Sequence, residues 1–392
     1  RVRAIVLARG SASSHAAILA RSYGIPMLTG AGTSVLDIAE GTLLAVDGAR
    51  GELVVAPTEE VRNDVRGRIA RRERDAAAVR TAAIGPATTT DGVEVAVLAN
   101  VASVVDARAG VAAHADGSGL VRTELLFLGR ERAPDRDEQE GVYRAVAEAF
   151  GGRRVVLRTL DAGGDKPLPF LTQPHEENPF LGVRGVRLTL RHPDLMLDQL
   201  VAMCRVAHDH PISVMLPMVS TVEEVLAARV LLDQACHEAG GRAESLRFGI
   251  MVEVPVAALK SASLAPHVDF FSVGTNDLTQ YALAAERGNS GVAQLTDGLD
   301  PGVLALIAAL CTGAGDVPVS VCGELAADPD AVGLLIGLGV RSLSVVAPAV
   351  PGVKQRVRAA SVSAARGLAE RALTCAGAAE VRDLVRSSVP SG

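Results

Sequence analysis

An α/β chain ending in a TIM (β/α)8 barrel is the fold this sequence predicts, and three observations predict it. From residue 92 onward, eight short apolar runs alternate with longer helical stretches over about 300 residues, where a barrel of this kind takes about 250. Nearly every run ends in polar residues that an apolar core would reject, so the loops after the strands are expected to ring one mouth. A hydrophobic fraction of 48% in 392 residues gives the chain material for a sizeable core. A doubly wound open sheet is the alternative, ranked second because of that polar punctuation.

In chain order, residues 1–56 read as a small, turn-rich β/α unit. Residues 4–8 form a strand, 9–14 a loop of small residues, and His15 opens a helix that runs to Ala20 or Arg21 before Gly24 ends it. Short strands follow near 27–28, 42–46 and 52–55, with glycines between them. Residues 57–90 are expected to be a linker helix. Pro57 precedes it, Glu59 and Glu60 occupy its first turn, and Val61, Val65 and Ile69 give only a narrow apolar stripe. Gly85 and Pro86 then break the pattern. Within 91–392 the strands are predicted near 93–99, 119–122, 155–160, 212–218, 248–254, 268–273, 318–322 and 342–346. Helices are predicted near 139–150, 195–208, 222–239, 301–311 and 330–338, with one last helix from 353 to about 373.

Composition excludes several function classes. A net charge of −6 offers no basic field for nucleic acid, and 3% aromatic residues leave few platforms for stacking bases. No apolar run approaches a membrane span and no signal-peptide layout opens the chain, so a cytoplasmic address is expected. Cysteines 204, 236, 311, 322 and 375 show no CxxC pair and no zinc-site spacing, and read as reduced thiols. The chain begins at Arg1 and enters an apolar run at once, as a piece of a longer protein would.

The chemistry gathers at the strand ends. Glu253 follows one run, and Thr275, Asn276 and Asp277 follow the next. Two hard oxygen donors at neighbouring strand ends suit Mg²⁺ or Mn²⁺ serving an anionic substrate; each alone could equally cap the helix after it. Arg122, Arg158, Lys166 and Arg287 supply cations, which suits a substrate with two negative groups, although an arginine there could instead pair with Glu124 or Asp161. Cys322 ends the seventh run, where a protonated thiol could give its proton to carbon; burial as an inert thiol is the commoner fate. His15, behind small residues at a helix start, could accept a phosphoryl group as a nucleophile or simply bond its own backbone.

The segment SASSHAAILARSYGIP resembles the phosphohistidine loop of enzymes that use phosphoenolpyruvate (PEP). VRTELLFLGR (121–130), LRTLDAGGDK (157–166), EENPFLGVRGVR (176–187) and GTNDLTQYALAAERGN (274–289) are most similar to enzyme I of the bacterial sugar phosphotransferase system. The likeness covers essentially the whole chain. It implies a swivelling phosphohistidine domain, incomplete at its start, ahead of a barrel that binds PEP and dimerises. It also implies phosphorylation of His15, Mg²⁺ on Glu253 and Asp277, PEP on Arg122, Arg158, Lys166, Asn276 and Arg287, and protonation of the enolpyruvate by Cys322. The implied partner is a histidine phosphocarrier protein, whose docking domain is expected to be missing. Ser11 replaces one of two usual glycines and Val183 a usual tryptophan. A dikinase or PEP synthase, and a non-catalytic PEP-sensing barrel dimer, are the competing readings.

Overall fold

The computed structural model describes residues 2–10, 20, 25–48, 50–164, 168–171, 173–287, 289 and 291–388. These divide into two compact units, Arg1–Ala82 with Ala285–Thr296, and Ala83–Ala284 with Asp297–Gly392. The helix expected to start at His15 lies outside the described residues except for Ala20, which is helical and buried.

In the smaller unit, strand β1 (Ile5–Val6) runs parallel to β2 (Met27–Leu28), and β3 (Leu44–Asp47) pairs antiparallel with β4 (Glu52–Val55). A helix, Glu59–Ala82, follows the hairpin with Glu59 and Glu60 in its first turn, where carboxylates favour the helix dipole. It is tied to the hairpin by charge. Asp47, buried at the end of β3, receives Arg68 at 3.2 Å and Arg72 at 3.0 Å from the helix.

The larger unit is a closed barrel of eight parallel strands, as the alternating sequence predicts. These are β5 (Ala96–Val101), β6 (Ser118–Arg122), β7 (Val155–Arg158), β8 (Ile212–Leu216), β9 (Arg247–Val252), β10 (Phe270–Val273), β11 (Val319–Val321) and β12 (Ser342–Val345). Each pairs with the next, and β12 returns to β5 with Leu343 opposite Val97. Residues alternate across each strand, as pleating requires: Val97, Ala99 and Val101 belong to the large core outside the barrel wall, while Leu120, Val156, Met215, Met251 and Cys322 form a separate apolar cluster. Asn100 adds a polar pin, its amide donating to the carbonyls of Cys322 at 2.9 Å and Ser344 at 3.0 Å.

The helices start where capping chemistry dictates. Asp135 with Glu138, and Thr221 with Glu224, form reciprocal capping boxes that satisfy otherwise orphaned N–H groups. The tail differs from expectation. The single helix predicted over 353–373 is two, Val350–Ala359 and Val362–Ala372, because Ala360 is extended and Ser361 caps the second. Asp91 fixes the break by accepting from Ser361 Oγ and from the backbone N–H groups of Val362 and Ser363. A further helix, Ala378–Ser388, was not foreseen; Arg382 on it pairs with Asp297, Asp328 and Asp330.

Candidate active site

The C-terminal ends of the barrel strands carry a buried charge network. Arg158, the last residue of β7, donates from Nη2 to Glu124 at 2.8 Å and pairs through Nη1 with Asp161 at 2.9 Å, all three side chains being buried. Its Nε is buried with no hydrogen-bond partner among the described residues, which leaves one donor of a fixed guanidinium fork for a ligand. Burial opposes the charge of Arg158, but Asp161, Glu124 and Glu253 outweigh it and raise its pKa, so the guanidinium stays charged.

Arg184 is the residue sequence reasoning missed. It follows the 3-10 turn Pro179–Leu181 and is buried, with Nη2 3.3 Å from both oxygens of Asp161 and 3.5 Å from Asp277. Its Nη1 reaches the Tyr281 hydroxyl at 3.4 Å, and that hydroxyl donates to the carbonyl of Phe180. Asp161 is thus shared by two arginines. The signal was present: Arg184 stands within EENPFLGVRGVR, directly before Gly185, whose φ of 59° favours glycine.

Glu253 sits just past β9, almost fully buried, and its Oε1 accepts the backbone N–H of Met218 at 2.7 Å. Met218 holds a left-handed φ of 60°, a conformation that costs a non-glycine residue energy and aims this N–H at the carboxylate. Opposite lies Gly274, where an added Cβ would stand 2.9 Å from Glu253 Oε2 and 3.1 Å from Met251 Sδ. Burial first, then Asp277 and Asp161, push the Glu253 pKa up to about 8, against which Arg158 and Arg184 pull. A carboxylate held this reluctantly ionised beside another is a site short of positive charge.

Asp277 occupies the first turn of helix Thr275–Leu283. Its neighbour Asn276 is bound at both ends of its amide to Glu324, accepting from Glu324 N–H at 3.0 Å and donating to its carboxylate at 3.2 Å. That bond holds the loop after β11, which carries Cys322. Gly323 there leaves no room for a side chain, since a Cβ would fall 1.9 Å from Thr275 Oγ1. Cys322 is buried and its thiol donates to the carbonyl of Val273 at 3.5 Å. Burial pushes its pKa up to about 11, Glu253 adds to this, and Arg158 and Arg122 act against it. The thiol therefore keeps its proton at neutral pH.

Of the nine residues singled out in the sequence, the barrel brings together Arg158, Glu253, Asn276, Asp277 and Cys322, with Arg122 at the exposed end of β6 near enough to act on the Cys322 thiol. Arg287 is exposed and belongs to the segment grouped with the smaller unit. His15 and Lys166 lie outside the described residues.

The chain as a whole is similar to known proteins. Residues 76–362 match the PEP-binding domain of PEP-utilising enzymes, and residues 1–51 match their mobile domain. The chain belongs to the PEP-utilising enzyme family, as its motifs imply. It is 46% identical over 398 residues to the phosphoenolpyruvate-protein phosphotransferase of Haloferax volcanii, covering 98% of this chain and 68% of that one. The phosphotransferase of Streptomyces coelicolor is 45% identical, over 96% of this chain and 68% of its own. The multiphosphoryl transfer protein of Rhodobacter capsulatus is 44% identical over 98% of this chain but only 46% of its own, so this chain spans less than half of that relative. These relatives set it beside the phosphoenolpyruvate-protein phosphotransferases. A solved citrate lyase from Burkholderia xenovorans LB400 overlaps 77% of this chain and 93% of its own at 15% identity and a TM-score of 0.44, too slight a likeness to argue from. No helix among the described residues is long and apolar enough to cross a membrane.

Proposed function

We propose that this chain is the part of an enzyme I-type phosphotransferase that moves the phosphoryl group of PEP to His15, releasing pyruvate. Phospho-His15 would then pass the group to a histidine phosphocarrier protein for sugar uptake in the cytoplasm. In this reading residues 1–56 act as the phosphohistidine domain, 57–90 as the linker helix, and 91–392 as the PEP-binding and dimerisation barrel. The observation that carries it is the pairing at one mouth of a charge-starved carboxylate site, Glu253 with Asp277, and a thiol that stays protonated, Cys322.

The residues fit a divalent cation. Glu253 ionises readily only if positive charge arrives beside it, and Gly274 leaves its second oxygen uncovered by a side chain. Glu253 and Asp277 would hold Mg²⁺, or Mn²⁺, through hard oxygen donors. When bound, such an ion neutralises charge on the phosphoryl and enolate oxygens. Arg158, through its spare Nε, Arg122, Lys166, Asn276 and Arg287 would hold the phosphate and carboxylate of PEP, since phosphoryl transfer asks a protein mainly for position and charge. His15 attacks phosphorus, the bond to the enol oxygen breaks, and the Cys322 thiol delivers its proton to the methylene carbon.

Mass spectrometry after incubation with PEP and Mg²⁺ tests this. A phosphoryl group on the His15 peptide is expected with equimolar pyruvate, and His15→Ala should still bind PEP. Pyruvate formation undiminished in His15→Ala would refute the assignment. The homodimer implied by the family likeness is part of the proposal, and sedimentation showing a monomer at micromolar concentration in PEP and Mg²⁺ would remove it.

A further inference from the structure

Away from the mouth, two cysteines that the mechanism does not use meet face to face. Cys204 lies on helix Pro193–Ala207, between β7 and β8, and Cys236 on helix Val222–Glu238, between β8 and β9. Their sulfurs are 3.6 Å apart, one thiol donating to the other, and both side chains are buried in the barrel's outer core. Nothing in the sequence joins them, because 32 residues separate them.

We propose that Cys204 and Cys236 form a modification site at which a hydroperoxide converts the dithiol to a disulfide. Four features of the structure support it. The sulfurs, 3.6 Å apart, need close by only about 1.5 Å to reach bonding distance. Solvent comes close to the pair: an open groove of about 500 Å³ starts at Ala207, three residues beyond Cys204, and is lined also by His208, Ala243, Glu244, Ser245 and Arg247. The turn after Cys236 passes through two glycines, Gly240 at φ 94° and Gly241 at φ 122°, with open space where either would carry a side chain. The charge is also right. The hydrogen bond shared with Cys204 outweighs burial and, with the Arg242 cation acting against Asp233, lowers the Cys236 pKa to about 7, while that same bond and burial raise the pKa of Cys204; burial pushes Cys311 up to about 12 and Cys322 up to about 11. Thiolates, not thiols, attack peroxides.

The chemistry balances. The Cys236 thiolate attacks the peroxide oxygen, the O–O bond breaks, and the alkoxide or hydroxide released takes up a proton. The Cys236 sulfenic acid is then attacked by the Cys204 sulfur; the S–S bond forms, the S–O bond breaks, and water leaves with the Cys204 proton. Two thiols and one hydroperoxide give one disulfide, one alcohol (or water) and one water, the sulfurs losing the electrons that the peroxide gains.

The experiment exposes the full chain to a slight excess of hydrogen peroxide at neutral pH, alkylates remaining thiols under denaturing conditions and maps the peptides by mass spectrometry, with thermal unfolding recorded in parallel. A peptide linked through Cys204 and Cys236, reversible with dithiothreitol and accompanied by a raised unfolding temperature, is expected. Cys204→Ala and Cys236→Ala, both volume-reducing changes in a core that already holds alanines, should each lose the linked peptide and the temperature rise. If either variant fails to fold, time-resolved alkylation of the wild-type protein decides, since peroxide must protect Cys204 and Cys236 together and before Cys375. Both thiols alkylated in full while Cys375 is oxidised, or Cys236 carried to sulfinic acid with Cys204 untouched, would overturn the proposal.

Discussion

Replacing Arg184 with methionine tests whether the buried network at the barrel mouth holds the fold as well as the ligand. The side chain is 5% exposed, and its loss takes one cation from Asp161, itself 2% exposed, and from Asp277, 3.5 Å away. Removing one member of a buried ion pair costs about 3–5 kcal/mol, because the other charge stays desolvated. Asp161 keeps Arg158 at 2.9 Å, which places the expected loss at the lower end, about 3 kcal/mol. For a domain of this size that is a fall of roughly 5 °C in Tm. Calorimetry on the single variants and on Arg184→Met combined with Asp161→Asn separates charge from packing. If the cost is an orphaned carboxylate, the double variant is more stable than the sum of the singles predicts, by at least about 1 kcal/mol. A Tm within about 1 °C of wild type, or strictly additive losses, would refute the reasoning.

Three further outcomes follow from the same site. Glu253 holds its proton in the fold up to about pH 8, while the unfolded chain loses it near the ordinary 4.5, so between these values the native state binds more protons. Metal-free stability should therefore be greatest below pH 4.5 as far as this group decides it and decline as pH rises toward 8, with Mg²⁺ or Glu253→Gln flattening the decline; urea melts across that range that ignore both additions would sink the assignment. Gly274→Ala should cost about 1–3 kcal/mol through overpacking and weaken Mg²⁺-dependent PEP binding in calorimetry, whereas Gly333→Ala, in a helix with nothing near its Cβ, should be neutral or stabilising by up to about 1 kcal/mol. Cys322→Ala should leave phospho-His15 formation intact and slow pyruvate release by roughly 10²–10⁴-fold in single-turnover measurements on the full-length protein; equal slowing of both products would make Cys322 a binding residue.

The barrel and the place of its chemistry are legible in the sequence. Alternation of short apolar runs with helical stretches reports local burial, so all eight strands fall within a few residues of where that pattern puts them, and Glu253, Asp277 and Cys322 stand at strand ends because polar residues there interrupt the runs. Which residues meet depends on the folded barrel. Arg158 finds Glu124 across 34 residues because β6 and β7 pair, and Arg184 finds Asp161 across 23 because the long connection after β7 folds back over the barrel mouth; no local spacing sets either pairing. Asp91 breaks the C-terminal helix at a serine 270 residues away, where the helical period alone runs on unbroken. Cys204 and Cys236, scattered thiols in the sequence, become a dithiol because two successive barrel helices pack side by side. Periodicity records which face of an element leaves water; the partner on that face depends on how the whole sheet closes, and no single stretch of chain carries that information.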